Sequence, residues 1–125
     1  MAVTHVTAIR NGLANYVVDA IDAGSGAGYI QFQTSGNTEV ATCAFSDPAF
    51  GSASSGTATA SAISDDTSAT GGTVAKARFF DSNNTEVLAC SVTATGGGGD
   101  IEITSTAVGA GDTVSVSSLT YSAPS

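Results

Sequence analysis

A twelve-residue segment of this chain has a counterpart 47 positions further on, identical at seven positions. Phe32-Gln33-Thr34-Ser35-Gly36-Asn37-Thr38-Glu39-Val40-Ala41-Thr42-Cys43 and Phe79-Phe80-Asp81-Ser82-Asn83-Asn84-Thr85-Glu86-Val87-Leu88-Ala89-Cys90 agree at Phe, Ser, Asn, Thr, Glu, Val and Cys. Each copy reads as strand, turn, strand, because β-branched and small residues flank a Ser/Asn/Gly centre. Two copies of a hairpin in one chain predict a two-sheet fold with internal pseudo-symmetry.

Side-chain parity then sets the faces, since a slip of one residue turns a strand's whole apolar set to solvent. Placing Phe79 opposite Glu86 gathers Ala75, Ala77 and Phe79 with Leu88, Cys90 and Val92. The same step in the first copy places Phe32 opposite Glu39 and gathers Ile30, Phe32, Ala41, Cys43 and Phe45. These faces are the predicted core. Lys76 and Arg78 fall on the solvent face, where an ion pair is worth less than about 1 kcal/mol and implies no function.

Short β-like runs extend on both sides of the repeat, at about 29–34, 38–45, 57–63, 73–80, 85–92, 100–106 and 113–121. Their spacing predicts a mainly β protein: an antiparallel β-sandwich, jelly-roll-like, spanning 29–121, with the hairpin repeat near 29–45 and 76–92. Gly96-Gly97-Gly98-Gly99 and Gly109-Ala110-Gly111-Asp112 read as turns. Neither precedes Lys-Ser or Lys-Thr or opens a helix, so neither is a phosphate loop.

Ahead of the strands the period changes. Val6, Ile9, Leu13, Val17 and Ile21 recur at steps of three and four, predicting one N-terminal α-helix at about 5–22, capped by Thr4 or Thr7 and stopped at Gly24. Its apolar stripe must be covered, either by the chain's own sheet or by a neighbouring subunit. The whole of 1–125 is expected to form a single domain.

Composition narrows the function. Gly, Ala, Ser and Thr supply 70 of the 125 residues, and charged residues only 11%. That excludes a helical bundle or coiled coil, while a hydrophobic share of 42% excludes a solvated tail. Eleven acidic residues stand against Arg10, Lys76 and Arg78, for a net charge of −8. Such a surface repels nucleic acid and anionic membranes alike. The first residues lack the basic start and apolar run of a secretory signal, and no stretch approaches a membrane span, so synthesis in a cytoplasm is expected. Cys43 and Cys90 sit in no Cys-x-x-Cys pair and read as small buried hydrophobes.

Catalytic chemistry finds little to work with. His5 is the only histidine, none of the serines lies in a Gly-x-Ser-x-Gly elbow, and no triad can be assembled. The reading is non-enzymatic: no catalytic residue, no cofactor and no metal ligand. Asp100 and Glu102 share a strand face and could share calcium, but a turn and an exposed strand edge account for them better. Without Trp there is no stacking platform for a glycan. Phe50, in the turn Ser46-Asp47-Pro48-Ala49-Phe50-Gly51, either plugs one end of the fold, the favoured reading, or contacts a partner.

Three segments carry a resemblance: Ile21-Asp22-Ala23-Gly24-Ser25-Gly26-Ala27-Gly28, Ser46-Asp47-Pro48-Ala49-Phe50-Gly51, and Gly109-Ala110-Gly111-Asp112-Thr113-Val114. The chain resembles a small structural protein of tailed bacteriophage virions, with an N-terminal helix, a small-residue β body and an aspartate-proline-alanine-phenylalanine turn. The resemblance implies a capsid decoration, or cement, protein on the outside of the head, made in the host bacterial cytoplasm. Its implied partners are the major capsid protein and copies of itself, as a homo-dimer or homo-trimer. The alternative is a tail or fibre component that meets the host surface. Candidate contact residues are Ala2, Val3 and His5, ahead of or opening the helix, with Pro48 and Phe50 in the turn.

Overall fold

A computed structural model describes residues 3–123. One helix, α1 (Thr7–Ile21), precedes nine strands: β1 (Tyr29–Gln33), β2 (Glu39–Ala44), β3 (Thr57–Thr59), β4 (Gly72–Thr73), β5 (Lys76–Phe80), β6 (Glu86–Ala94), β7 (Ile101–Ile103), β8 (Ala107–Val108) and β9 (Thr120–Ser122). Five strands form one curled sheet in the order β2-β1-β5-β6-β7, and β3-β9 and β4-β8 form two small pairs. The protein is thus mainly β with one N-terminal helix. The expected antiparallel sandwich needs correction: the sheet is mixed, because β7 runs parallel to β6, and two short ribbons stand where a second sheet was expected.

The repeat does build two hairpins, and they lie side by side in the same sheet rather than in two. In the first, Ile30 faces Cys43 and Phe32 faces Ala41; in the second, Ala77 faces Cys90 and Phe79 faces Leu88. Phe32 and Phe79 are therefore two residues away from the pairing expected with Glu39 and Glu86. A bulge between Phe32 and Gln33, matched by one between Phe79 and Phe80, supplies one residue of the offset, and a longer turn, in which Thr34 bonds Thr38 and Asp81 bonds Thr85, supplies the other. An even shift keeps parity, so most of the predicted core face survives: Ile30, Phe32, Ala41, Cys43, Phe45, Ala77, Phe79 and Val92 are buried, whereas Ala75, Leu88 and Cys90, expected with them, are only half-buried. The turns repeat as well. Asn37 and Asn84 both adopt left-handed φ, 69° and 64°, a conformation that Asn tolerates better than most residues.

Strand boundaries shift where the chain changes partner. The run expected at 73–80 splits because Val74 donates its N–H to Thr106 while Ala75 donates to Gln33. The runs expected at 57–63 and 113–121 shorten to β3 and β9, with isolated bridges from Ala60 to Phe50, Thr57 to Ser54 and Val114 to Asp66. Residues 95–100 connect the parallel strands β6 and β7, far fewer than the dozen or so such a connection usually takes. Gly96 and Gly98 make the reversal feasible with φ of 88° and 82°, values that cost glycine little. The tract is pinned, too: Glu102 accepts the N–H groups of Gly96 and Gly98, and Thr93 Oγ1 accepts that of Gly99.

Candidate docking face

Helix α1 starts after Val6, which serves as N-cap without a side-chain bond, so neither Thr4 nor Thr7 caps it. Its inward side is part polar. Asn11 accepts the N–H of Gly56 at 2.7 Å, Asn15 that of Ala53 at 2.8 Å, and Asp22 that of Ala49 at 2.8 Å, with Ala14, Val18 and Ile21 packed among them. The physical reason lies in the loop. Residues 45–56 carry backbone donors outside any regular strand, and buried donors need acceptors. Phe45, Gly51 and Ser54 find backbone carbonyls, and for Ala49, Ala53 and Gly56 the amide and carboxylate side of the helix supplies the acceptors.

That choice turns most of the expected apolar stripe outward. Ile21 is buried and Val17 half-buried, but Val6, Ile9 and Leu13 are 70%, 52% and 40% exposed, flanked by Val3 at 76% and Tyr16 at 81%. Steps of three and four place residues 6, 9, 13 and 16 on one side of the helix. Gly12 lies exposed beside them, with nothing within 4 Å of the position a Cβ would take. The same stretch is free of acid: all eleven carboxylate side chains lie from Asp19 onward.

A groove of about 900 Å³ opens between α1 and the sheet, from Tyr16 and Val17 across Leu88 and Ile101 to Leu119 and Tyr121. Its carboxylates are engaged. Asp81 Oδ1 accepts the N–H groups of Asn83 and Thr85, Glu86 pairs with Arg78, and Asp100 accepts the Ser91 N–H and hydroxyl. The groove is lined mainly by hydrocarbon, with its carboxylates held at the rim by neighbouring donors.

The sequence-predicted contact residues do not form one cluster. Val3 and His5 are exposed ahead of α1, and Ala2 lies outside the described residues. Pro48 is exposed beyond a cis Asp47–Pro48 bond, near the other end of the helix. Phe50 is withdrawn from the contact set: it is buried, tilted against Phe45 at 5.7 Å, and acts as the plug. Ile9, Gly12, Leu13 and Tyr16 were not among the candidates. Asn11 and Asn15, a polar pair four apart, were the signal that another face would turn inward.

Glu102 spends both oxygens on the N–H groups of Gly96 and Gly98, while Asp100 Oδ2 accepts the Ser91 N–H and hydroxyl. Among the described residues no three His, Cys, Asp or Glu side chains gather as metal ligands. Cys43 and Cys90 are free thiols. Burial pushes the Cys90 thiol up to about 11, with Asp100 adding to the shift, and burial raises Cys43 as well.

Comparison with known protein families, characterised proteins and solved structures finds no match to this chain. Among the described residues no helix is long and apolar enough to cross a membrane.

Proposed function

We propose that this protein is a non-enzymatic virion structural protein of a tailed bacteriophage, a capsid decoration protein that binds the outside of the head and stabilises it. One observation carries the reading: an apolar helix face, free of acid as far as Asp19, left outward on a body of net charge −8. An exposed apolar patch of this kind marks a protein contact. The rest of the molecule supports binding over chemistry, since Asp22, Asp66, Asp81, Asp100, Glu102 and Asp112 serve backbone donors and burial raises both thiols. The resemblance carried by the Asp47-Pro48-Ala49-Phe50 turn points to the virion.

The acidic body keeps copies soluble at high local concentration. Many weak contacts on a symmetric shell add up through avidity, so no single deep pocket is needed. His5 and the exposed Pro48, at either end of the helix, are the residues proposed to meet the major capsid protein. The test is an image reconstruction of the virion that encodes the chain. Regular density on the capsid exterior is expected; density confined to the tail or fibre tips transfers the function to a tail component, and absence from the particle overturns both.

A further inference from the structure

We infer that the outward face of α1 is the interface of a two-fold homodimer, in which two copies of the helix cross antiparallel at Gly12. This goes beyond the virion reading and does not depend on it.

Three observations converge. The first is area: Val3, Val6, Ile9, Leu13 and Tyr16 at their observed exposures offer on the order of 500 Å² of largely apolar surface per copy. Two copies together then cover about 1,000 Å², the lower bound of a specific interface. The second is charge. Two bodies of −8 repel one another, and residues 1–18, the longest stretch without a carboxylate, offer one along which they can approach.

The third is Gly12. A glycine inside a helix weakens it, and here the fold does not require one, because a side chain at this position would meet nothing within 4 Å. A second helix at close approach does require one. Ala8 and Gly12, one turn apart and both exposed, form a shallow notch. In an antiparallel crossing at Gly12, Tyr16 of one copy stands at the height of Ala8 of the other, large against small on both sides of the axis. Residues 5 and 19 likewise fall at equal heights, bringing Asp19 of one copy to the level of His5 in the other. The arrangement is self-complementary, as a two-fold interface must be. It also sets Val3 and His5 of one copy at the same end as the Pro48 turn of its partner, whose Ala49 is bonded to the end of that partner's helix.

Sedimentation of the full chain from low to high micromolar concentration tests the inference. The expected result is a mass of two chains. Ile9→Asp and Gly12→Arg should each weaken association at least about a hundredfold while leaving the far-ultraviolet circular dichroism unchanged. Ser117→Arg, at an exposed position away from α1, should leave the dimer intact. In a Cys43→Ala, Cys90→Ala background, Gly12→Cys should cross-link to itself on mild oxidation. A monomer at every concentration overturns the inference; so does a dimer that survives both helix substitutions, or a stable mass of three chains or more. Should the cysteine-free background not fold, sedimentation of Gly12→Arg decides alone.

Discussion

Gln31 and Arg78 face each other at the centre of the β1–β5 pair, and they are also equivalent positions of the 47-residue repeat. Around them the pairing inverts onto itself: Tyr29 faces Phe80, and Gln33, the repeat equivalent of Phe80, faces Lys76, the equivalent of Tyr29. A local two-fold axis therefore passes between Gln31 and Arg78. The side chains break that symmetry. Tyr29 stacks on Phe80 at 4.9 Å on one side, whereas on the other Gln33 is buried and its Oε1 has no partner.

That orphaned oxygen yields the first prediction. A buried unpaired acceptor costs about 1–3 kcal/mol, while Gln31, which loses only the Gln33 donor, can bond water instead. Gln33→Met should raise stability by about 1 kcal/mol in chemical denaturation. A loss of stability would mean that the carbonyl is satisfied by ordered water.

Asn84 combines left-handed φ with a side-chain oxygen that accepts the Tyr29 hydroxyl at 2.9 Å. Asn84→Ala should cost about 1–2 kcal/mol, the sum of a strained conformer and a lost bond. Asn84→Gly, which removes the bond but relieves the backbone, should cost less than half as much. Thermal melts of the pair separate the two contributions.

Asp22 is raised above its ordinary 3.8, first by burial and then by Asp47 and Asp19, with the Ala49 N–H partly opposing. The folded chain therefore holds this proton at pH values where the unfolded chain has released it, and stability falls as pH rises from 3.8 through the raised value. Asp22→Asn keeps an acceptor for Ala49 without the charge. It should melt higher than the parent at pH 7, with the gain shrinking toward pH 4.

At pH 7.5 Cys90, with its thiol pushed up to about 11, should alkylate at least about tenfold slower than a thiol of the denatured chain. Cys43, fully buried, should be protected as well. Two thiols per chain should appear on denaturation without reductant, as counted with a chromogenic thiol reagent.

Phe50→Ala removes the ring that closes the core against Phe45. A cost of about 3–5 kcal/mol is expected, together with unchanged sedimentation of whatever fraction stays folded. A fully stable variant would return Phe50 to the set of contact residues.

What was legible in the sequence followed from periods. The alternation of Ile30, Phe32, Ala41 and Cys43 identifies the core face because parity survives an even shift. The bulge after Phe32 was not legible: nothing in Phe32-Gln33 distinguishes a bulge from regular pairing. The helix was legible in extent but not in orientation, since Asn11 and Asn15 take their bonds from Gly56 and Ala53, some forty residues away. The parallel β6–β7 pair was hidden because a short Gly-rich link ordinarily announces a hairpin. Val3 and His5 were legible as surface, whereas the contact face of α1 emerged only once its opposite side was occupied.

Gly56 is the meeting point of segments far apart in the chain. Its N–H is held by Asn11, its carbonyl accepts Ala123, and the Arg10 guanidinium lies where a Cβ would stand, 2.6 Å from the nearest atom. Helix α1, β3 and β9 thus meet at one residue, and local opening is expected to take them together. Amide protons in these three elements should exchange as a group, at one common free energy lower than that of β1 and β5. Pairing of two helices would slow that exchange in proportion to protein concentration, making the closing of each copy's own ends a collective property of the assembly.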